Sequence, residues 1–175
     1  MGAPMAVMLL EKLIALGGKR FVAFGSCGGV APGLAIGDCL VPTWAVSQEG
    51  TSRLYPLPAA PQASRELTAR VIFLLSQQGV RCATGGVWTT DAPYREGRET
   101  IRRLCEQGVA AVDMEFSALL TVAAFRGVDM AAVLVVSDLL SADGWQAGFT
   151  ARSFKTAIHA VGKALFDFCG KDDDG

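Results

Sequence analysis

Val109 to Gly127, VAAVDMEFSALLTVAAFRG, followed by AAVLVVSD at Ala131 to Asp138, is the stretch that decides the fold. Its first four residues are small, apolar and valine-rich, which predicts a buried strand. From Glu115 the apolar positions run on as a helix, until Gly127 supplies a usual C-terminal stop. The second run is again valine-rich, and it ends on a serine and an aspartate. Strand, helix, strand, with both strands apolar throughout, is the unit from which sheets covered by helices on both faces are built.

The rest of the chain repeats that alternation. A helical run, AVMLLEKLIAL, precedes Gly17-Gly18, and its apolar surface is so broad that it needs covering. Arg20 to Phe24, RFVAF, reads as a strand that ends in Gly25-Ser26-Cys27-Gly28-Gly29, the layout of a ligand loop. Gly37 to Pro42 is a second β segment, and PLPAAP at 56–61 reads as a surface loop. Ser64 to Gln78 is helical, Val80 to Trp88 extended, Arg95 to Gln107 helical, and the last helix spans about Thr150 to Phe168. The expected class is α/β: a three-layer α/β/α arrangement around a central, mostly parallel or mixed sheet. One domain covers residues 1–170, and KDDDG at 171–175 is expected to be a disordered tail.

Composition narrows the function. The chain has 175 residues, 51% hydrophobic and 19% charged, with a net charge of -1, so disorder is excluded and no basic stripe offers itself to nucleic acid. Arg95, Arg98, Arg102 and Arg103 alternate with Glu96, Glu99 and Glu106 and read as a solvated face with internal ion pairs. Five cysteines without a CxxC pair, and the single His159, give neither a disulfide framework nor a metal site. No apolar run reaches the length of a membrane span, and the expected compartment is the cytoplasm.

Ligands of such sheets collect beyond the carboxyl ends of strands. Four polar groups fall there: GSCGG, WTTDAPY, DMEFS, and Ser137-Asp138. The glycine loop offers backbone N–H groups and the Ser26 hydroxyl to an anion, although a tight turn accounts for it as well. Glu115 begins an apolar helix, where a carboxylate is stabilised whether it serves a ligand or only caps the helix. Asp138 is placed either to donate a proton or to cap the next turn.

FGSCGG with APGLAIGDCLVP, QEGTS, WTTDAPYRE, AVDMEFSALLTVAAFRG and VLVVSDLL resemble, in order and spacing, the nucleoside phosphorylase family, which contains bacterial hexameric purine nucleoside phosphorylases and uridine phosphorylases. The resemblance implies cleavage of a nucleoside's N-glycosidic bond by inorganic phosphate, giving ribose 1-phosphate and a free base, with no metal or organic cofactor. It assigns the ribose hydroxyls to Glu115, with Met114 beneath the sugar, and phosphate to Gly25 and Ser26. The base falls to Cys27, Gly28, Tyr94 and Val112, and proton donation to the leaving purine falls to Asp138. Uridine enzymes generally lack that acid, so purines are the expected substrates. A homo-oligomer, a dimer or a trimer of dimers, is also implied.

Departures from the pattern accompany it. The family's arginine two residues before the loop is Ala23 here, and the family's front segment with its phosphate-binding arginines is expected to be missing. Pro93 stands where purine enzymes present an aromatic ring, and Gly97 and Glu99 replace the uridine enzymes' amide and arginine. Beside a purine-preferring phosphorylase, two other readings therefore stand: a nucleoside-binding or assembly module with little or no catalysis, and a nucleoside hydrolase or uridine phosphorylase.

Overall fold

The computed structural model describes residues 2–141 and 144–169; the expected tail at 171–175 lies outside them. The elements run α1 (Ala3–Ala15), β1 (Arg20–Gly29), β2 (Cys39–Gln48), α2 (Arg65–Gln77), β3 (Cys82–Thr90), α3 (Arg98–Glu106), β4 (Val109–Asp113), α4 (Phe116–Arg126), β5 (Asp129–Ser141), β6 (Gly144–Ala147) and α5 (Arg152–Cys169). Helix ends carry the expected signals. Ser64 accepts the Leu67 N–H at the start of α2, and Gly127, at φ 67°, closes α4 in the left-handed conformation that glycine adopts without a steric penalty.

The period of two along β5 sorts the core. Met130, Ala132, Leu134 and Val136 join buried residues of α1 and α4, such as Val7, Leu10, Phe116 and Leu120. Val133 and Val135 point the other way, to Val71 and Leu75 of α2 and Val161, Ala164 and Leu165 of α5. A third cluster, Val30, Trp88, Ile101, Leu104, Val109 and Val112, lies under α3. This is the α/β architecture with a mixed central sheet and helices on both sides.

The sheet order is β1-β4-β3-β2-β5-β6, and β1 also pairs with β5, so five strands close into a ring with β6 hanging from it. β1–β5, β2–β3 and β3–β4 are parallel, whereas the short β1–β4 and β2–β5 contacts are antiparallel. α1 is covered only in part. Ala3, Val7 and Leu10 are buried, but Met5, Met8, Leu9, Leu13 and Leu16 are exposed. Arg126 at the end of α4 ties it down through Glu11, at 2.8 Å.

Two expectations are corrected here. The glycine segment is not a turn: β1 runs through Gly29, and none of Gly25, Gly28 and Gly29 has a positive φ. Space explains the last two glycines. A Cβ on Gly28 would sit 2.6 Å from a Leu140 methyl, and one on Gly29 would sit 2.9 Å from Leu139. Asp138 does not end its strand either. β5 continues to Ser141 and pairs with β6, placing Asp138 opposite Ala147.

Candidate functional site

A register shift builds the centre of the site. Along β1 and β5, Cys27 pairs with Val136 but Gly28 pairs with Asp138, so Ser137 is an extra residue on β5. Such a bulge re-aims the side chains beside it. The Ser137 hydroxyl lies 3.1 Å from the Cys27 carbonyl and 2.7 Å from Asp138 Oδ1. Gly28 also faces Val112 of β4. A Cβ at Gly28 would lie 3.1 Å from Val112 and 3.3 Å from Asp138 Oδ2, so Gly28, Val112 and Asp138 converge on one spot. Cys27 is buried behind it, its thiol pushed up by burial and by the charges of Asp113 and Asp138.

Ser26 and Gly25 face a neighbouring cleft of about 450 Å³ between α1 and β1. Asp113, Glu115 and Phe116 line its other side, and among the described residues no lysine or arginine lines it. Glu115 occupies the N-cap position of α4 without bonding the helix with its side chain; instead it accepts the backbone N–H of Gly2. Met114 and Glu115 are both half-buried.

Beneath them lies a buried polar network that the sequence reading missed. Asp113 accepts the Thr89 hydroxyl at 2.6 Å and the Phe116 N–H at 2.7 Å, while Thr89 accepts the Ser117 N–H at 2.9 Å. Burial pushes the Asp113 carboxyl up to about 6, although these hydrogen bonds oppose it. Glu49, 1% exposed, accepts the Ser47, Ser52 and Ser117 hydroxyls and the Thr51 and Ser52 N–H groups. Burial alone would raise its pKa; the donors outweigh burial and hold the carboxyl below the ordinary range. Glu49 and Asp113 together fix the start of α4, and with it Met114 and Glu115. The signal in the sequence is a carboxylate followed within three residues by hydroxyls and turn formers, QEGTS.

The segment after β3 departs from expectation. Tyr94 does not reach the base side of the site: it lies in a short 3-10 turn, Pro93–Arg95, that directs its ring wholly into solvent. Glu96 turns inward in its place. Burial and the nearby charge of Asp138 push its carboxyl up to about 7, so it does not belong to the solvated ion-pair face. Arg102 does belong there, bridging Glu99 and Glu106 at 2.7 Å each. A further side chain near Asp138 was also missed. Trp145 of β6 donates its indole N–H to Asp138 Oδ2 at 2.7 Å and leans on Phe149. The antiparallel pairing of β6 with β5, from Ser141 opposite Gly144 to Asp138 opposite Ala147, brings that indole to Asp138.

Among the described residues no three His, Cys, Asp or Glu side chains converge to hold a metal ion. No described helix is long and apolar enough to cross a membrane.

Comparison with known proteins agrees with this architecture. Purine nucleoside phosphorylases of the DeoD type from Bacillus cereus and Bacillus cytotoxicus are each 33% identical over 141 residues, which is 79% of this chain and 60% of theirs. The chain thus spans about 60% of the length of these curated relatives. The purine nucleoside phosphorylase of Toxoplasma gondii, solved in complex with immucillin-H, superposes with a TM-score of 0.83 at 24% identity, covering 94% of this chain and 68% of that one. The P. knowlesi homolog of P. falciparum PNP gives 0.77 at 19% identity, over 93% and 65% of the two chains. The model of the phosphorylase superfamily matches residues 1–167, and the chain belongs to that family.

Proposed function

We propose that this chain carries the nucleoside site of a purine-preferring phosphorylase, which splits the N-glycosidic bond with inorganic phosphate to give ribose 1-phosphate and base. The observation that carries the reading is the convergence of Gly28, Val112 and Asp138 beside a cleft lined by Ser26 and Glu115. In this reading a flat base lies over Gly28 against Val112 once the end of Leu140 swings aside, and Asp138 gives a proton to the departing purine nitrogen. As the bond breaks, the sugar gains oxocarbenium character; a carboxylate at its hydroxyls, the role of Glu115, holds and polarises it. Met114 packs beneath the sugar. Ser26, with the Gly25 backbone, takes phosphate, which no organic cofactor or metal needs to assist. Self-association belongs to the same reading, because the exposed methionines and leucines of α1 form an apolar face.

The experiment is incubation with inosine, adenosine and uridine, each with and without phosphate, followed by measurement of released base. Phosphate-dependent release from the purine nucleosides is expected; no release under any condition refutes the reading. The cleft beside Ser26 favours one alternative, a nucleoside-binding module with little turnover. Among the described residues it has two carboxylates and no cation to hold a dianion, and Glu115 already accepts the Gly2 N–H. Calorimetric binding of inosine without turnover would establish that alternative.

A further inference from the structure

Cys39 and Cys82, 43 residues apart in sequence, are register partners at the first positions of β2 and β3. Their sulfur atoms lie 2.9 Å apart with a thiol hydrogen between them. Both side chains stand on the sheet face covered by α2 and α5. Adjacent strands lie about 4.8 Å apart, which puts two facing cysteines within the Cα separation that a disulfide spans. The two thiols differ in access. Cys39 is 3% exposed, whereas Cys82 is partly open to solvent. Their shared hydrogen bond reinforces the difference: it pulls the Cys82 thiol below its ordinary value and, with burial, pushes Cys39 up. Cys27 is buried elsewhere in the core, and Cys105 is bonded to the Val30 carbonyl at 3.2 Å.

We propose that Cys39 and Cys82 form a reversible dithiol–disulfide site that exchanges with small-molecule disulfides of the glutathione class, Cys82 attacking and Cys39 resolving. In the first step the Cys82 thiolate attacks one sulfur of the oxidant RSSR. The S–S bond breaks, RS⁻ leaves with the electron pair and takes up the proton that Cys82 released, and a mixed disulfide remains on Cys82. In the second step Cys39 yields its proton to solvent and attacks Cys82 Sγ, and the second RS⁻ leaves and is protonated. Two protein thiols are oxidised and one RSSR is reduced to two RSH. The bond ties the starts of β2 and β3, where Cys39 lies opposite Val135 of β5 and Val135 in turn opposite Ser26 of β1, while the other ends of the two strands hold Gln48 and Thr90, next to the Glu49 and Asp113 network. The proposal is independent of the proposed function.

The test is incubation of the fully reduced protein with oxidised glutathione, followed by mass spectrometry without reductant. The wild type is expected to lose two hydrogens, to yield one peptide pair joined through Cys39 and Cys82, and to return to five thiols with dithiothreitol. Closing a loop of this length should raise Tm by about 10 °C. Cys39→Ala, which adds no polar atom to the core, should stop at the mixed disulfide and retain one glutathionyl group on Cys82. Cys82→Ala should acquire neither modification. Five thiols surviving oxidation, a crosslink through Cys27, Cys105 or Cys169, or glutathionyl transfer to another cysteine in Cys39→Ala would overturn the proposal.

Discussion

Asp113→Asn should change the sign of its effect on stability with pH. In the folded protein burial pushes this carboxyl from 3.8 to about 6. Below 3.8 the acid is neutral in both states. As pH rises toward 6 the unfolded chain releases its proton first, so the fold loses stability across that window. At about 1.4 kcal/mol per pH unit, the rise from 3.8 to about 6 is worth about 3 kcal/mol. Asparagine does not titrate and escapes that loss. Its oxygen can take the Phe116 N–H, but its amide then meets Thr89 Oγ, which already accepts the Ser117 N–H, so the Thr89 hydroxyl loses its acceptor. One neutral hydrogen bond is worth about 1 kcal/mol. The variant should therefore be less stable than the wild type by about 1 kcal/mol near pH 4, and more stable by about 2 kcal/mol near pH 8. Urea unfolding of both proteins across that range, followed by tryptophan fluorescence, measures the difference, in which all other titrating groups cancel. A difference that stays flat, or a wild type that gains on the variant as pH rises, would refute the reasoning.

Glu49 should show the opposite slope. Its folded-state pKa is depressed, so its contribution is complete above about 4.5 and is lost as pH falls through the lower folded value; Glu49→Ala, which strands two backbone N–H groups, should cost about 3–5 kcal/mol by chemical denaturation. Gly28→Ala meets the flexible end of Leu140 and should cost only about 1 kcal/mol, yet under the proposed function it should weaken purine nucleoside binding at least about tenfold by calorimetry, because its methyl lies between Val112 and Asp138. Gly86→Ala places a methyl 2.3 Å from the Trp44 ring and should lower stability by about 2–3 kcal/mol. Trp145→Phe keeps an aromatic side chain, smaller than the indole, and removes the N–H that holds Asp138; under the proposed function, kcat for inosine should fall about tenfold with little change in KM, measured by phosphate-dependent base release.

What could be read from the sequence was what repeats with a period or carries a local signal. The strands and helices from Val109 to Val136 were legible because burial on both faces writes itself as continuous apolar runs, and Gly127 marked its own helix end. The glycines of β1 were misread because a glycine cluster signals a turn when only local torsions are considered. The reason for Gly28 and Gly29 lies in Leu139 and Leu140, more than a hundred residues away. Tyr94 and Glu96 exchange their expected places for a similar reason: the 3-10 turn Pro93–Arg95, which Glu96 caps, decides which side chain faces in, and no periodicity encodes that choice. Of the candidate site, Gly28, Val112 and Asp138 meet across three strands, with Glu115 and Ser26 at the adjoining cleft. The supports, Glu49 and Thr89, were silent because their partners come from three separate segments.

The closed ring of strands bears on when the site can exist during folding. Gly28 meets Val112 and Asp138 only once β1 has found both β4 and β5, pairings that span most of the chain. Joining such distant partners must first overcome the entropy of closing long loops, and chains dominated by such contacts fold slowly. The candidate site is thus expected to be completed late in folding, after more local elements such as α4. Under the proposed function, a base bound there acts on the closing step itself: it favours the completed ring over its opened forms, and is read as protection of the Gly28 and Val112 amides from hydrogen exchange.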